Sequence, residues 1–344
     1  LKKFEVLLPG KNYEQQYRWI DNELSRIWKM RGPFPGLGSV LSGMKVINGN
    51  LIAWELDKII RDDNSAEVVK NPWDFVDKMF KGDTSFLPEH LDAKFDETII
   101  KTWTGYKKEE RDFLQLLSRM NLDNEQVNSV INLKLIEQKE YLENPYLLYE
   151  RSRLNKIQIP VSYIDKMIFA DNSILERFPL TLSKELNSPL DPRRIRAYGV
   201  QILEESASIG NTFLVDNIFV SKFEELPLQQ LCNPSIRNLL AIEDSLDGEI
   251  KRKILDKDDE VYYFKLQRYE TIKEKINSFV SKRIKREIKS VVNPDWLKIV
   301  NDKFGEIDTK KPQWYKDRDL QARKEKAHSL EILFRNRISV LIGP

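Results

Sequence analysis

The sequence predicts a mainly α-helical protein with helical domains carrying helix-hairpin-helix-like elements, a winged-helix-like segment with a β-hairpin, and the first strand of a P-loop domain. Three observations lead there. Apolar residues recur at intervals of three and four over most of the chain. Residues 248–266 instead alternate apolar with polar around an acidic turn. The chain closes on the apolar run Ile338-Ser339-Val340-Leu341-Ile342 ahead of Gly343-Pro344. The expected divisions are residues 1–105, an N-terminal helical domain; 106–185, a helical-hairpin domain; 186–290, the winged-helix-like segment; and 291–344, a linker and the start of the P-loop domain.

Each element follows from local signals. Tyr17, Ile20, Leu24 and Ile27 have helical spacing, and the Pro/Gly-rich residues 32–38 interrupt it, so a helical pair around a tight turn is expected. Phe113, Leu116, Leu117 and Met120, then Val127, Val130 and Ile131, mark a second helical block over 109–143. A further helix is predicted over 191–209: Asp191 can cap the free amides, Pro192 suits the first turn, and Gly210 offers a left-handed stop. Helices are expected at 226–232 and 235–242, ahead of a hairpin in which Ile250 and Ile254 face Val261 and Tyr263. Residues 268–290 and 318–335 read as helices. Trp54, Trp73 and Trp103 are expected in the core.

Composition removes several function classes. Of the 344 residues 41% are apolar and 32% charged, and no run of about 18 apolar residues could span a bilayer. Leu1 and the following Lys2-Lys3-Phe4-Glu5 lead into no secretory core, which reads as an excised piece. Cys232 is the only cysteine and His90 and His328 the only histidines, so neither a disulfide framework nor a Cys/His zinc cluster can be assembled, and a cytoplasmic location is expected. With 56 basic against 54 acidic residues, attraction to nucleic acid must come from local patches. No nucleophile and base pair can be nominated, so no catalytic residue is expected.

Five stretches are candidates for binding. Arg31-Gly32-Pro33-Phe34-Pro35-Gly36-Leu37-Gly38-Ser39 contains the P-G-x-G pattern of a helix-hairpin-helix element. There Pro35, Gly36, Gly38 and Ser39 could bring backbone amides to a DNA phosphate; a packing turn between helices is the alternative. Residues 157–162 occupy the place of a second hairpin but are expected to be structural. Lys282, Arg283, Lys285, Arg286 and Lys289, against the single acid Glu287, form a basic helix end able to contact DNA phosphates or simply to be solvated. Trp314 and Tyr315 beside Lys310-Lys311 could stack single-stranded bases, although packing in a linker is favoured. Arg193, Arg194 and Arg196 could face DNA, although pairing with Asp191 or Glu204-Glu205 is favoured. Gly343 and Pro344 stand where the nucleotide-binding motif G-x-x-x-x-G-K-[ST] would begin.

Three stretches resemble the N-terminal region of RecD-like superfamily-one DNA helicases, the family of the exodeoxyribonuclease V alpha subunit. These are residues 113–130 followed by Glu143-Asn144-Pro145-Tyr146-Leu147-Leu148; Asp191-Pro192-Arg193-Arg194-Ile195-Arg196-Ala197 continuing to Gly210-Asn211-Thr212-Phe213-Leu214; and Gly248-Glu249-Ile250 through Val261-Tyr262-Tyr263. The resemblance covers roughly residues 105–344. It implies that the complete protein is an ATP-driven translocase on single-stranded or forked DNA, moving 5′ to 3′ with ATP and Mg2+. The present chain holds no cofactor of its own and would be inactive without the P-loop lysine. A docking module for a nuclease or recombination partner is the alternative, as is a winged-helix regulator whose residues 235–242 read the major groove.

Overall fold

The computed structural model describes residues 32–61, 71–88, 91, 97–256, 260–284, 294–308 and 310–340. They are mainly helical, with one three-stranded antiparallel sheet, and the chain divides into two compact units, Leu1–Leu266 and Gln267–Pro344. The expected divisions at 105/106 and 185/186 fall inside the first unit.

In the first unit, α1 (Leu37–Gly43) packs on α2 (Gly49–Arg61), whose buried stripe Ile52, Leu56 and Ile60 has helical spacing. Trp54 sits on the opposite face, 57% exposed, with the Lys58 ammonium 3.2 Å from its ring centre; the expectation of a core position is corrected. Helix α3 (Pro72–Phe80) starts from Asn71, whose side chain accepts from the Trp73 amide, with Pro72 in the first turn. Trp73, Phe80 and Trp103, the last from α4 (Glu97–Gly105), stack in the core. The indole N–H groups are satisfied: Trp73 donates to Ser118 Oγ at 3.0 Å and Trp103 to Asp77 at 3.1 Å.

The block at 109–143 divides into α5 (Lys108–Ser118), α6 (Asn124–Val130) and α7 (Leu135–Glu143). Asp123 and Gln126 form a reciprocal cap that restarts the chain at α6. Three short helices follow, α8 (Leu147–Ser152), α9 (Val161–Ile168) and α10 (Asn172–Arg177). The long α11 (Pro192–Ser208) begins and ends as its sequence predicts: Asp191 accepts from the Arg193 amide at 2.9 Å, and Gly210 takes φ +99°.

After α11 come β1 (Leu214–Val215), α12 (Asp216–Glu224), α13 (Ile236–Ala241), α14 (Glu243–Leu246) and the predicted hairpin of β2 (Ile250–Asp256) and β3 (Val261–Leu266). The sheet order is β1-β3-β2, with Leu214 opposite Phe264 and Ile250 opposite Leu266. Its buried face rests on α11 and α12, where Phe264 stacks on Phe219 at 4.8 Å. The helix expected at 226–232 does not form. Pro227 keeps residue 226 out of helical conformation, and the carbonyl of Gln230 is taken by the Arg194 guanidinium rather than by a helix amide.

The second unit holds α15 (Gln267–Ile284), α16 (Trp296–Phe304) and α17 (Gln313–Arg335). Asp295 caps α16, and Gly305, at φ +74°, ends it. Helices α16 and α17 are joined by buried Val300 and Ala327, by the Trp296–Phe334 ring contact at 5.0 Å, and by Arg323, which donates to the Gly305 carbonyl at 2.6 Å. The terminal strand is corrected as far as it is described. Residues 338–340 form no strand, Val340 is 79% exposed, and no described neighbour offers a ladder to pair with. Leu341, Ile342, Gly343 and Pro344 lie outside the described residues.

Candidate nucleic-acid interface

The arginines at the start of α11 turn inward. Arg193 donates to both Asp191 oxygens and to the backbone carbonyls of Glu143 and Glu185. Arg194, with no exposed surface, makes a two-bond pair with Asp165 at 2.7 and 2.8 Å and donates to the Pro189 and Gln230 carbonyls. Arg196 makes a similar pair with Glu150 at 2.9 and 2.7 Å. Pairing is therefore the outcome, but Arg194 and Arg196 pair with Asp165 and Glu150 rather than with the carboxylates nearest in sequence.

Around Arg194 the low dielectric decides the protonation states. Tyr146 donates to Asp165 at 2.6 Å, and burial pushes its phenol, like that of Tyr198, far above the usual range. Burial also raises the Cys232 thiol to about 11, so it stays protonated and unreactive. Burial opposes the charge of Arg194, and the hydrogen bonds and charge of Asp165 outweigh it and leave the guanidinium more basic than usual. Arg194, Asp165 and Tyr146 form a hydrogen-bonded internal network.

The P-G-x-G stretch is likewise turned into the protein. Gly36 donates to the Ser118 carbonyl at 2.9 Å, and a Cβ there would collide with the Met120 carbonyl. A Cβ on Gly38 would collide with Asn50. Both glycines are buried, Pro35 and Ser39 are half-buried, and the helix they open has seven residues. Their small size serves close helix packing, the alternative the sequence left open. Residues 157–162 form the turn between α8 and α9, where Ile159 is buried and donates to Ser152 Oγ, in keeping with a structural role.

Exposed cations remain in the second unit. Lys282 and Arg283 are exposed at the end of α15; Lys285, Arg286 and Lys289 lie outside the described residues. At the start of α17, Trp314 is 62% and Tyr315 43% exposed, their rings 5.9 Å apart and nearly perpendicular. The Lys311 ammonium lies 5.7 Å from the Tyr315 ring centre, and Lys310 and Arg318 are exposed. The two acids of this turn are engaged, Asp317 accepting from Gln313 and Asp319 from Arg323. Linker packing was the favoured expectation for Trp314 and Tyr315, yet both are open to solvent. Lys316 and Arg318 went unremarked in the sequence. The signal for them is that residues three and four beyond Trp314 are Asp317 and Arg318, so the ring has no apolar helix neighbour on that side.

The surface beside the sheet carries both signs. A cavity of about 360 Å³ beside α13, α14 and β2 is lined by Glu243, Asp244 and Asp247 as well as Lys251 and Arg252, and Arg252 is paired with Glu243 at 2.6 Å. Arg237 is the only cation on α13, which disfavours major-groove reading by this helix. Among the described residues no His, Cys, Asp or Glu group could hold a metal, and no helix is long and apolar enough to cross a membrane. The chain matches no known family model, and no similar curated protein or solved structure was found.

Proposed function

We propose that this chain is a DNA-binding accessory region of an ATP-dependent, RecD-like DNA helicase, acting on single-stranded or forked DNA. The observation that carries the binding part is the pair of exposed rings, Trp314 and Tyr315, set among Lys310, Lys311 and Arg318. Stacking on such rings is indifferent to base identity, and the cations hold the backbone, which is what a translocase needs. Lys282 and Arg283 supply a further phosphate contact. The succession α11, β1, α12, α13–α14 and β2–β3, with strand order β1-β3-β2, supports a winged-helix-like arrangement of the segment that resembles the helicase family. ATP, Mg2+ and 5′-to-3′ movement belong to the complete protein, and the internal use of Arg193, Arg194 and Arg196 assigns the most specific part of the resemblance to architecture.

Fluorescence anisotropy of the chain with single-stranded, forked and duplex DNA over a salt series tests this. Binding at micromolar concentration or tighter, weakening steeply as salt rises, is expected. Absence of binding at low salt removes the reading. A second reading, a docking module for a nuclease or recombination protein, is favoured by the exposed Ile272, Ile276 and Phe279 along one side of α15. It requires that DNA binding be absent and that substitutions on this stripe release the partner.

A further inference from the structure

Arg119 differs from Arg194, the other buried arginine described in the first unit, in having no carboxylate partner among the described residues. It is the C-terminal cap of α5, only 7% exposed, and among the described residues its guanidinium makes one hydrogen bond, from Nη1 to the Phe178 carbonyl at 2.6 Å. It lies 5.0 Å from the centre of the Phe34 ring, which in turn meets Phe178 edge-on at 5.3 Å. The negative end of α5 and the ring face offset part of the charge. Burial alone lowers the pKa of the group to about 10, so it remains a cation at neutral pH. A guanidinium carries five N–H donors in a flat fork, and one is used.

The remaining donors have a place to act. Arg119 lines a small pocket, open to solvent, together with Phe34, Asn71, Gln115, Phe178 and Thr181. The Asn71 carbonyl oxygen is taken by the Trp73 amide, which leaves its NH2 group as a donor, and Gln115 adds a second side-chain amide one turn before Arg119. Among the described residues no acid lines the pocket. A buried cation with unused donors, flanked by amide donors and with no counter-charge among the described residues, is complementary to a compact oxyanion.

We propose that this pocket binds a phosphate-type oxyanion, with Arg119 as the charged fork and Asn71 and Gln115 as neutral donors. The site lies in the first unit and goes beyond the DNA-binding surface assigned to α17. Free inorganic phosphate and the terminal phosphate of a DNA strand share this chemistry.

The test uses the whole chain and inorganic phosphate as probe, with thermal unfolding followed in phosphate and in chloride at equal ionic strength. Wild type is expected to gain about 3 °C at phosphate roughly ten times its Kd. The gain should vanish in Arg119→Met. It should vanish also in Gln115→Glu, where a carboxylate one turn before Arg119 occupies the fork from within, so this variant answers the question even if the first fails to fold. A gain of equal size in all three proteins reflects general salting-out and overturns the proposal, as does no gain in wild type. Competition by a short thymidine oligonucleotide with and without a 5′-phosphate separates the sources: Arg119-dependent preference for the phosphorylated strand assigns the strand end, and an Arg119-dependent phosphate response indifferent to that group assigns the free ion. The phosphate arm stands whether or not the chain binds DNA through α17.

Discussion

Removing the carboxylate of Asp165 should be among the most damaging single changes in the first unit. Asp165→Ala leaves Arg194 with no exposed surface and without its counter-charge, and it takes from Tyr146 the acceptor of a 2.6 Å hydrogen bond. Breaking a buried pair from one side costs about 3–5 kcal/mol, and the stranded phenol adds about 1 kcal/mol or more. At about 2–4 °C per kcal/mol for a unit of this size, the melting temperature should fall by roughly 8–24 °C. Arg194 also donates to the Pro189 and Gln230 carbonyls, so some charge compensation survives and the lower half of the range is expected. The assay is thermal and urea unfolding of the whole chain followed by tryptophan fluorescence, since buried Trp73 and Trp103 report on this unit. The double variant Asp165→Leu/Arg194→Met exchanges the pair for apolar bulk, and it should recover most of the loss, because the charged pair itself contributes little net stability against a hydrophobic replacement. A loss below about 1 kcal/mol in Asp165→Ala, or a double variant weaker than the single one, would refute the reasoning.

Gly36→Ala should destabilise the first unit by about 1–3 kcal/mol through collision with the Met120 carbonyl, while the DNA affinity of the folded protein stays as it was; urea unfolding and anisotropy together check both parts. Trp314→Ala and Tyr315→Ala should each weaken single-stranded DNA binding by about 1–3 kcal/mol per lost stack, with melting temperatures unchanged because both rings are exposed. Burial raises the Glu150 carboxyl above its ordinary 4.5 against the pull of Arg196. The folded chain therefore holds this proton more tightly than the unfolded chain, so the contribution is full below about pH 4.5 and is lost as pH rises through the raised folded value. Glu150→Gln should flatten that part of the stability profile, measured by urea unfolding across pH 4 to 8; an unchanged slope would count against a raised carboxyl.

Elements whose signals are local were legible from the sequence. Asp191, Pro192 and Gly210 mark both ends of α11, and the alternation around residues 256–260 marks the hairpin. The stretch 226–232 misleads because its apolar spacing suits a helix, while its carbonyls are claimed by a side chain from elsewhere in the chain. Trp54 was readable in retrospect: it falls two residues after Ile52, which puts it on the face opposite Ile52, Leu56 and Ile60. Partners distant in sequence were not readable, since Asp165 lies 29 residues from Arg194 and Glu150 lies 46 from Arg196. Arg119 carries no sequence signal at all, because what sets it apart is the lack of an acid beside it in three dimensions among the described residues. The exposed rings of α17 were visible as residues, and only the fold decided that they face solvent.

The arginines of α11 tie together several stretches of chain: the end of α7, the middle of α9, and the segments before α11 and after α12. Opening any one of these strands a buried charge in another, so the region should open as one cooperative block. Amide hydrogen exchange along α8, α9 and α11 should then converge on a single slow rate set by opening of the whole block. A random-mutagenesis screen for lost activity would find many positions at Arg193, Arg194, Arg196 and their acceptors. Those positions would map the keystone of the unit and not a binding surface.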